Sequence, residues 1–264
     1  MPKTDFRTPR VYLDAPLAAG KAVSFDRDQT NYLRNVLRLG QGDAVLLFNG
    51  RDGEWRAELA TAGKKALTAK PNERSREQPQ PLDLHFLFAP LKHARLDYLV
   101  QKAVEMGVSL LQPVITRHTQ VARVNLERMH ANAIEAAQQC GVLALPEIKE
   151  PVAFKAIAGT IDAERVLVFC DEDAEVKDPM AALAAARPQA VALLPAESAR
   201  RSAPLAVLIG PEGGFAEDER EALSKRPNVV RIALGPRILR ADTAAVAALA
   251  LVQVALGDWQ NRAT

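Results

Sequence analysis

Leu208-Ile209-Gly210-Pro211-Glu212-Gly213-Gly214-Phe215 is an apolar run that breaks into a glycine-rich turn, and Ala216 to Lys225 after it has the composition of a helix. Glycines at such a turn let backbone approach a ligand without side chains in the way. A second run has the same character. Val229 to Leu234 is apolar and leads into Gly235-Pro236-Arg237-Ile238-Leu239-Arg240-Ala241-Asp242-Thr243, where another helix begins. Two glycine-bearing loops, each leaving an apolar strand, predict bare backbone meeting at one place, which is how a protein holds a small cofactor.

Working outward, apolar strand candidates alternate with helical stretches: Leu82 to Phe88, His93 to Met106, Leu110 to Ile115, Leu126 to Cys140, Arg165 to Phe169, Pro179 to Ala186, Ala190 to Leu194, Leu205 to Ile209 and Ala241 to Leu256, besides the two runs above. That alternation predicts an α/β domain with a mostly parallel sheet covered by helices. The region before it reads differently. Short strands at Val11 to Leu13, Ala22 to Phe25, Ala44 to Phe48, Glu54 to Ala60 and Ala66 to Ala69 are punctuated by glycines and predict a small β-barrel. One helix, Asp28 to Arg38, interrupts them, with Leu33, Val36 and Leu37 on one face and Arg34 and Arg38 forming a basic stripe. Residues 70–81 hold Pro71, Pro79 and Pro81 and no large apolar side chain, so they read as a linker. The expected division is residues 1–72, a linker at 73–81, and residues 82–264.

With 264 residues and 48% hydrophobic content the chain can bury a sizeable core. Residues 1–78 carry 14 Lys and Arg against 10 Asp and Glu, whereas the remainder carries 20 against 22, so the positive excess lies at the front. Cys140 and Cys170 lack metal-site spacing and read as buried structural thiols of a reducing compartment. His85, His93, His118 and His130 show no paired ligand spacing either, so no metal is expected. Trp55 and Trp259 are expected in core or dimer packing. The charged N-terminus predicts no signal peptide, and no run approaches the length of a membrane span, which points to the cytoplasm.

The chemistry of the loops narrows the ligand. A glycine turn before a helix most often cradles phosphate, but this helix opens with Glu217, Asp218 and Glu219, which would repel a polyphosphate. The Lys-Ser/Thr pair of a P-loop and the G-x-G-x-x-G spacing of dinucleotide sites are both missing, which favours a neutral or cationic ligand. A turn followed by a well-capped helix is the plain alternative. In the second loop Arg237 and Arg240 flank the apolar Ile238 and Leu239, and Asp242 or Thr243 is expected to cap the helix.

These two segments resemble the signature of the SPOUT methyltransferases. The likeness runs nearly end to end with the ribosomal RNA small subunit methyltransferase E family, through Val36-Leu37-Arg38 with Gly42-Asp43, Gln101-Lys102-Ala103, Glu105-Met106-Gly107-Val108, and Glu135-Ala136-Ala137 before Gln139. The resemblance implies a PUA-like N-terminal β-barrel, a C-terminal SPOUT domain tied in a trefoil knot, a homodimer, and methylation by S-adenosylmethionine at N3 of a uridine in 16S rRNA. By matching positions it implies that Gly210, Pro211, Glu212, Gly213, Gly214, Leu234, Gly235, Ile238, Leu239 and Arg240 hold the cofactor. Catalysis is expected from Arg240, with Glu212 or Asp242 as general base, and RNA contact from Arg7, Arg10, Tyr32, Arg34 and Arg38. Four positions depart from the family pattern: Tyr32 replaces histidine, Gln138 glutamate, Val142 arginine and Asp242 glutamate. Another SPOUT activity, on a ribose 2′-hydroxyl or a tRNA base, and a non-catalytic ribosome assembly factor stand as alternatives.

Overall fold

A computed structural model describes residues 5–62, 66–121, 123–175, 178–192 and 204–259. Two units make up the chain: an N-terminal unit of Met1–Gln80 with Ile134–Leu145, and a C-terminal unit of Pro81–Ala133 with Pro146–Thr264.

In the N-terminal unit, strands β1 (Arg10–Tyr12), β2 (Val23–Ser24), β3 (Ala44–Phe48), β4 (Glu54–Ala62) and β5 (Ala66–Arg76) pair in the order β1-β3-β4-β5-β2. Val11, Leu13, Val45, Leu47, Leu59 and Leu67 fill the core between them. The β1 edge is closed by side chains. The Tyr12 N–H donates to Gln138 Oε1 at 2.9 Å, and Gln29 Nε2 donates to the Tyr12 carbonyl at 3.0 Å. Main-chain groups that would otherwise template another strand are thereby used up.

The expected linker is partly strand. β5 runs to Arg76, so residues 73–76 belong to the sheet, and Pro71 is buried opposite Ala57 beside an irregularity in the β4–β5 register. Proline is tolerated at such a place because no ladder hydrogen bond is required of it. What extends the strand is a charge that composition does not reveal. Buried Glu54 bonds Arg10 Nε at 2.6 Å, Arg76 Nη2 at 2.6 Å and Ser75 Oγ at 2.8 Å. Burial pushes the Glu54 carboxyl up, but the bonds from Arg76, Arg10 and Ser75 together bring it below its ordinary value.

The helix expected at Asp28 to Arg38 forms in two parts. Helix α1 (Arg27–Asn31) starts in a capping box, Asp26 accepting from the Gln29 N–H while Gln29 Oε1 accepts from the Asp26 N–H. It then widens into a π-helical turn at Tyr32–Val36, where the Leu37 N–H bonds the Tyr32 carbonyl at 2.9 Å. The extra residue in that turn keeps Leu33 fully buried but rotates Val36 out to 62% exposure, so the expected apolar face is broken. The basic stripe breaks too. Arg34 turns back toward the Ala66 carbonyl, and Arg38 leaves the helix with φ +58°.

The C-terminal unit is one sheet in which every strand pair is parallel: β6 (Leu84–Phe88), β7 (Leu110–Ile115), β8 (Glu147–Ile148), β9 (Val152–Ala153), β10 (Val166–Cys170), β11 (Leu205–Ile209) and β12 (Val229–Ile232). Its order is β12-β10-β11-β6-β7-β8, with β9 also on β7. Every residue of β10 and β11 is buried, as expected for strands covered on both faces. Each of their large apolar side chains contributes roughly 1.5–3 kcal/mol. Helices α2 (His93–Glu105), α3 (Leu126–Cys140), α5 (Pro179–Ala192), α6 (Glu217–Ser224) and α7 (Ala241–Ala255) fall where the alternation places helices. The end of α3, from Ile134, goes with the N-terminal unit. The stretch expected at Ala190 to Leu194 is the last turn of α5 as far as Ala192, and its remainder lies outside the described residues. Strands β8 and β9 and helix α4 (Phe154–Thr160) were not foreseen. They are too short to show a period. Among the described residues no helix is long and apolar enough to cross a membrane.

Candidate active site

Strands β10, β11 and β12 end side by side, with Cys170 in register with both Ile209 and Ile232. The chain passes from β10 to β11 on one side and later to β12 on the other, and a crevice opens at the carboxyl ends where strand order reverses in this way. A cavity of about 290 Å³ occupies it. Residues 170–172, the whole turn from Ile209 to Gly214, and Leu234, Gly235 and Arg237 to Leu239 of the second loop contribute to its lining. Every residue expected at the cofactor site lines this cavity except Arg240. Ile238 does so while 97% exposed, so it is an apolar rim and not a buried wall.

The glycine turn is fixed from three directions. A Cβ at Gly210 would lie 2.5 Å from the Phe215 ring, which is itself buried against Phe169 at 4.8 Å, and Gly214 sits at φ +68°. His118 Nδ1 lies 3.1 Å from the Gly213 carbonyl and 3.2 Å from that of Gly214. Carbonyl oxygens only accept, so the proton is on Nδ1. Glu219, the one inward-facing acid of the α6 start, accepts from the Ala216 and Arg117 N–H groups at 3.0 and 2.9 Å.

Both proposed carboxylates meet on an arginine that the residue-level reading gave no role. Arg95, in the first turn of α2, bonds Asp242 through Nε at 3.0 Å and Nη2 at 3.3 Å, and its Nη1 bonds Glu212. The glycine turn and the start of α7 are thus tied to one guanidinium. The bonds from Arg95 hold the Asp242 carboxyl below its usual range. Neither Asp242 nor Thr243 caps α7, contrary to expectation. The cap position is Arg240, whose side chain makes no capping bond, and Asp242 lies one residue inside the helix, where its charge favours the positive helix end. Arg240 is exposed and makes no ion pair among the described residues.

The model of an RNA methyltransferase domain matches residues 78–253, and that of an RNA methyltransferase PUA domain matches residues 25–72. Ribosomal RNA small subunit methyltransferase E of Rickettsia conorii is 29% identical over 246 residues, 93% of this chain and 95% of its own. The protein of that name from Synechocystis is 30% identical over 238 residues, 89% and 73% of the two chains. This chain belongs to the ribosomal RNA small subunit methyltransferase E family. Among solved structures, the family's enzyme from Neisseria gonorrhoeae, bound to S-adenosyl methionine, matches with a TM-score of 0.79 at 26% identity, covering 96% of this chain and 100% of that one. A Legionella pneumophila putative methyltransferase in complex with the bound cofactor SAM gives 0.75 at 27%, covering 94% and 98%.

Within this family member a second cavity, of about 110 Å³, shares Pro211 and Glu212 with the first and adds Lys92, Arg95 and Gln120. His93, next to Lys92, is held at φ +35°, a costly backbone state that collects near functional sites. Asp171, with its side chain fully buried at the first cavity, is neutralised by Arg231 at 2.7 Å and Arg220 at 3.2 Å. Of the two thiols only Cys170 is buried, and burial pushes it up to about 12, whereas Cys140 is exposed against expectation. Trp55 packs partly against the N-terminal core, while Trp259 is 46% exposed.

The expected RNA contacts separate on inspection. Arg10 must be withdrawn, because its side chain is 3% exposed and committed to Glu54. Arg7, Tyr32 and Arg38 are exposed, and Arg34 is half-buried.

Proposed function

We propose that this chain is an S-adenosylmethionine-dependent methyltransferase that modifies N3 of a uridine in the 16S rRNA of the small ribosomal subunit. The observation that carries it is the cavity at the ends of β10, β11 and β12. Its lining comes from loops, with the half-exposed carboxylates Glu172 and Glu212 and the exposed Arg237 among them, an arrangement suited to a ligand with a sulfonium, an ammonium and a carboxylate group. The names of the relatives support small-subunit ribosomal RNA as the substrate, and the uridine N3 follows from the family resemblance. When bound, the cofactor supplies an electrophilic methyl group.

The chain's own part is to place the uracil and manage its N3 proton. The second cavity, which adjoins the first at Pro211 and Glu212, suits the base, with Lys92 and Arg95 as donors toward its carbonyl oxygens. Exposed Arg240 stabilises the negative charge that develops there or orients the neighbouring phosphate. Of the two candidate bases Glu212 is favoured, since Asp242 accepts two bonds from Arg95 and is the more buried, at 17% exposure against 51%. The reading carries with it a trefoil knot in the C-terminal unit, a cytoplasmic location, no metal, and a homodimer.

The test is transfer of a labelled methyl group to small subunits and to naked 16S rRNA side by side, followed by mass analysis of the nucleosides. The expected product is 3-methyluridine. Label in a ribose or in tRNA, or no label, would overturn the reading. Arg240→Ala should cost about 10²–10³ in turnover, as for loss of one charge-stabilising donor, with cofactor affinity within a few fold.

A further inference from the structure

We propose that the N-terminal unit carries a pocket for an unpaired nucleobase of the RNA substrate, in which Tyr32 and Phe6 supply stacking surface and the Gln138 amide reads the base edge. This rests on the RNA reading above and adds a binding site to it.

A cavity of about 410 Å³ opens in this unit, inside the roughly 300–1,000 Å³ range of small-ligand sites, and Phe6, Thr8, Pro9, Tyr32, Leu37 and Gln138 contribute to its wall. Among the described residues of the unit, the exposed large apolar side chains are Phe6 at 70%, Tyr32 at 43% and Val36 at 62%, and the two aromatic ones both line this cavity. The π-helical turn explains the position of Tyr32. Its neighbour Leu33 is fully buried and anchors the turn, while the Tyr32 ring remains in water. Aromatic faces left exposed are what bases stack on, and stacking tolerates any base because each has a π-face.

Gln138 gives the pocket its polarity. Its Oε1 is occupied by the Tyr12 N–H, and a backbone N–H can bond only the oxygen of the amide, so the orientation is fixed. The capacity left for a ligand is the Nε2 donor, which suits a base carbonyl or ring nitrogen. Arg10, also at the wall, is taken by Glu54, and the lining also holds Glu135, whose carboxylate accepts from Gln139 Nε2 at 3.4 Å and has capacity left for a base amino group. Cations for the adjoining phosphates stand nearby in sequence: exposed Arg7 beside Phe6, and exposed Arg38 just past the turn. An aromatic pocket bordered by arginines, in a unit matched by an RNA methyltransferase PUA domain, fits single-stranded RNA.

The test uses the full chain and two probes, unmodified small ribosomal subunits and a single-stranded uridine 12-mer, titrated over a range of salt concentrations. Tyr32→Ala should weaken binding roughly 5- to 160-fold, the effect of losing one stacked base. Tyr32→Phe should bind like the parent. The slope of log affinity against log salt should be unchanged by either, because no phosphate contact is removed. A 4-thiouridine label in the oligomer should crosslink to the peptide holding Tyr32 or Phe6. Binding of Tyr32→Ala equal to the parent, equal losses for Ala and Phe, or a flattened salt slope would overturn the pocket. Methyl transfer by the parent chain reports separately: if it persists while the pocket variants bind normally, the enzymatic reading stands and the nucleobase site falls.

Discussion

In the N-terminal unit one buried carboxylate, Glu54, gathers two arginines; in the C-terminal unit one partly exposed arginine, Arg95, gathers two carboxylates. The Glu54 side chain is 2% exposed and that of Arg95 is 30%. The inversion shows what each cluster is for. A dry cluster cannot exchange partners without stranding a charge, so it fixes structure. A wet one at the lip of a cavity can hold two loops in place and still present one of its carboxylates to a ligand. Its excess of negative charge also agrees with the cationic cofactor proposed there.

The sharpest way to break this contrast is Glu54→Gln, which keeps the shape but leaves Arg10 buried without its counter-charge. A loss of about 3–5 kcal/mol is expected, read as a lower urea midpoint at unchanged slope. The sign of its pH dependence follows from a folded pKa below the unfolded one. The Glu54 contribution is complete above the unfolded carboxyl value of about 4.3, and is lost as pH falls through the lower folded value. The gap between parent and variant should therefore be constant from neutral down to about pH 5 and close below about pH 4. A gap that stays constant to pH 3 would mean that the carboxylate charge is not what stabilises the unit.

Arg95→Ala should behave in the opposite way. Because its partners are partly solvated, stability should change by about 1 kcal/mol or less. Cofactor affinity and methyl transfer should each fall about 10- to 100-fold, since the glycine turn and the start of α7 lose their common tie and small misplacements are costly in catalysis. Arg95→Lys should not restore them, because an ammonium cannot bond two carboxylates in a fixed fork. Calorimetric titration with S-adenosylmethionine beside urea unfolding decides it. A variant that unfolds like Glu54→Gln would make the two clusters equivalent and end the comparison.

The same contrast explains what could be read from the chain. The two glycine loops that line the first cavity were legible because each is local: an apolar strand, a glycine turn and a helix start lie within a dozen residues. The clusters were not. Arg95 meets Glu212 and Asp242 across 117 and 147 residues, and Glu54 meets Arg10 across 44, distances over which no periodicity carries a signal. Arg10 looked like a phosphate ligand for that reason, and the proline-bearing segment after Ala69 looked like a linker although Glu54 draws Arg76 into the sheet. The π-helical turn escaped because one inserted residue changes no composition, yet it redirects Val36 and divides the arginine stripe.

The smallest expected effect concerns the charges that neither cluster uses. With Arg10 withdrawn, Arg38 and Arg34 are separable candidates for phosphate contact, and they differ in how free they are. Arg38 is exposed on a left-handed backbone, while Arg34 is half-buried and leans on the Ala66 carbonyl at 3.5 Å. Each phosphate contact to a single strand contributes about 0.7 to the slope of log affinity against log salt. Arg38→Gln should therefore flatten that slope for rRNA by about 0.7, and Arg34→Gln by less, because part of its guanidinium already serves the protein. Neither should change the stability read by urea unfolding by more than about 0.5 kcal/mol, as is usual for surface substitutions. If Arg34→Gln instead lowered stability and left the slope untouched, Arg34 would join Arg10 among the structural arginines, and the electrostatic footprint of this unit would narrow to Arg7 and Arg38.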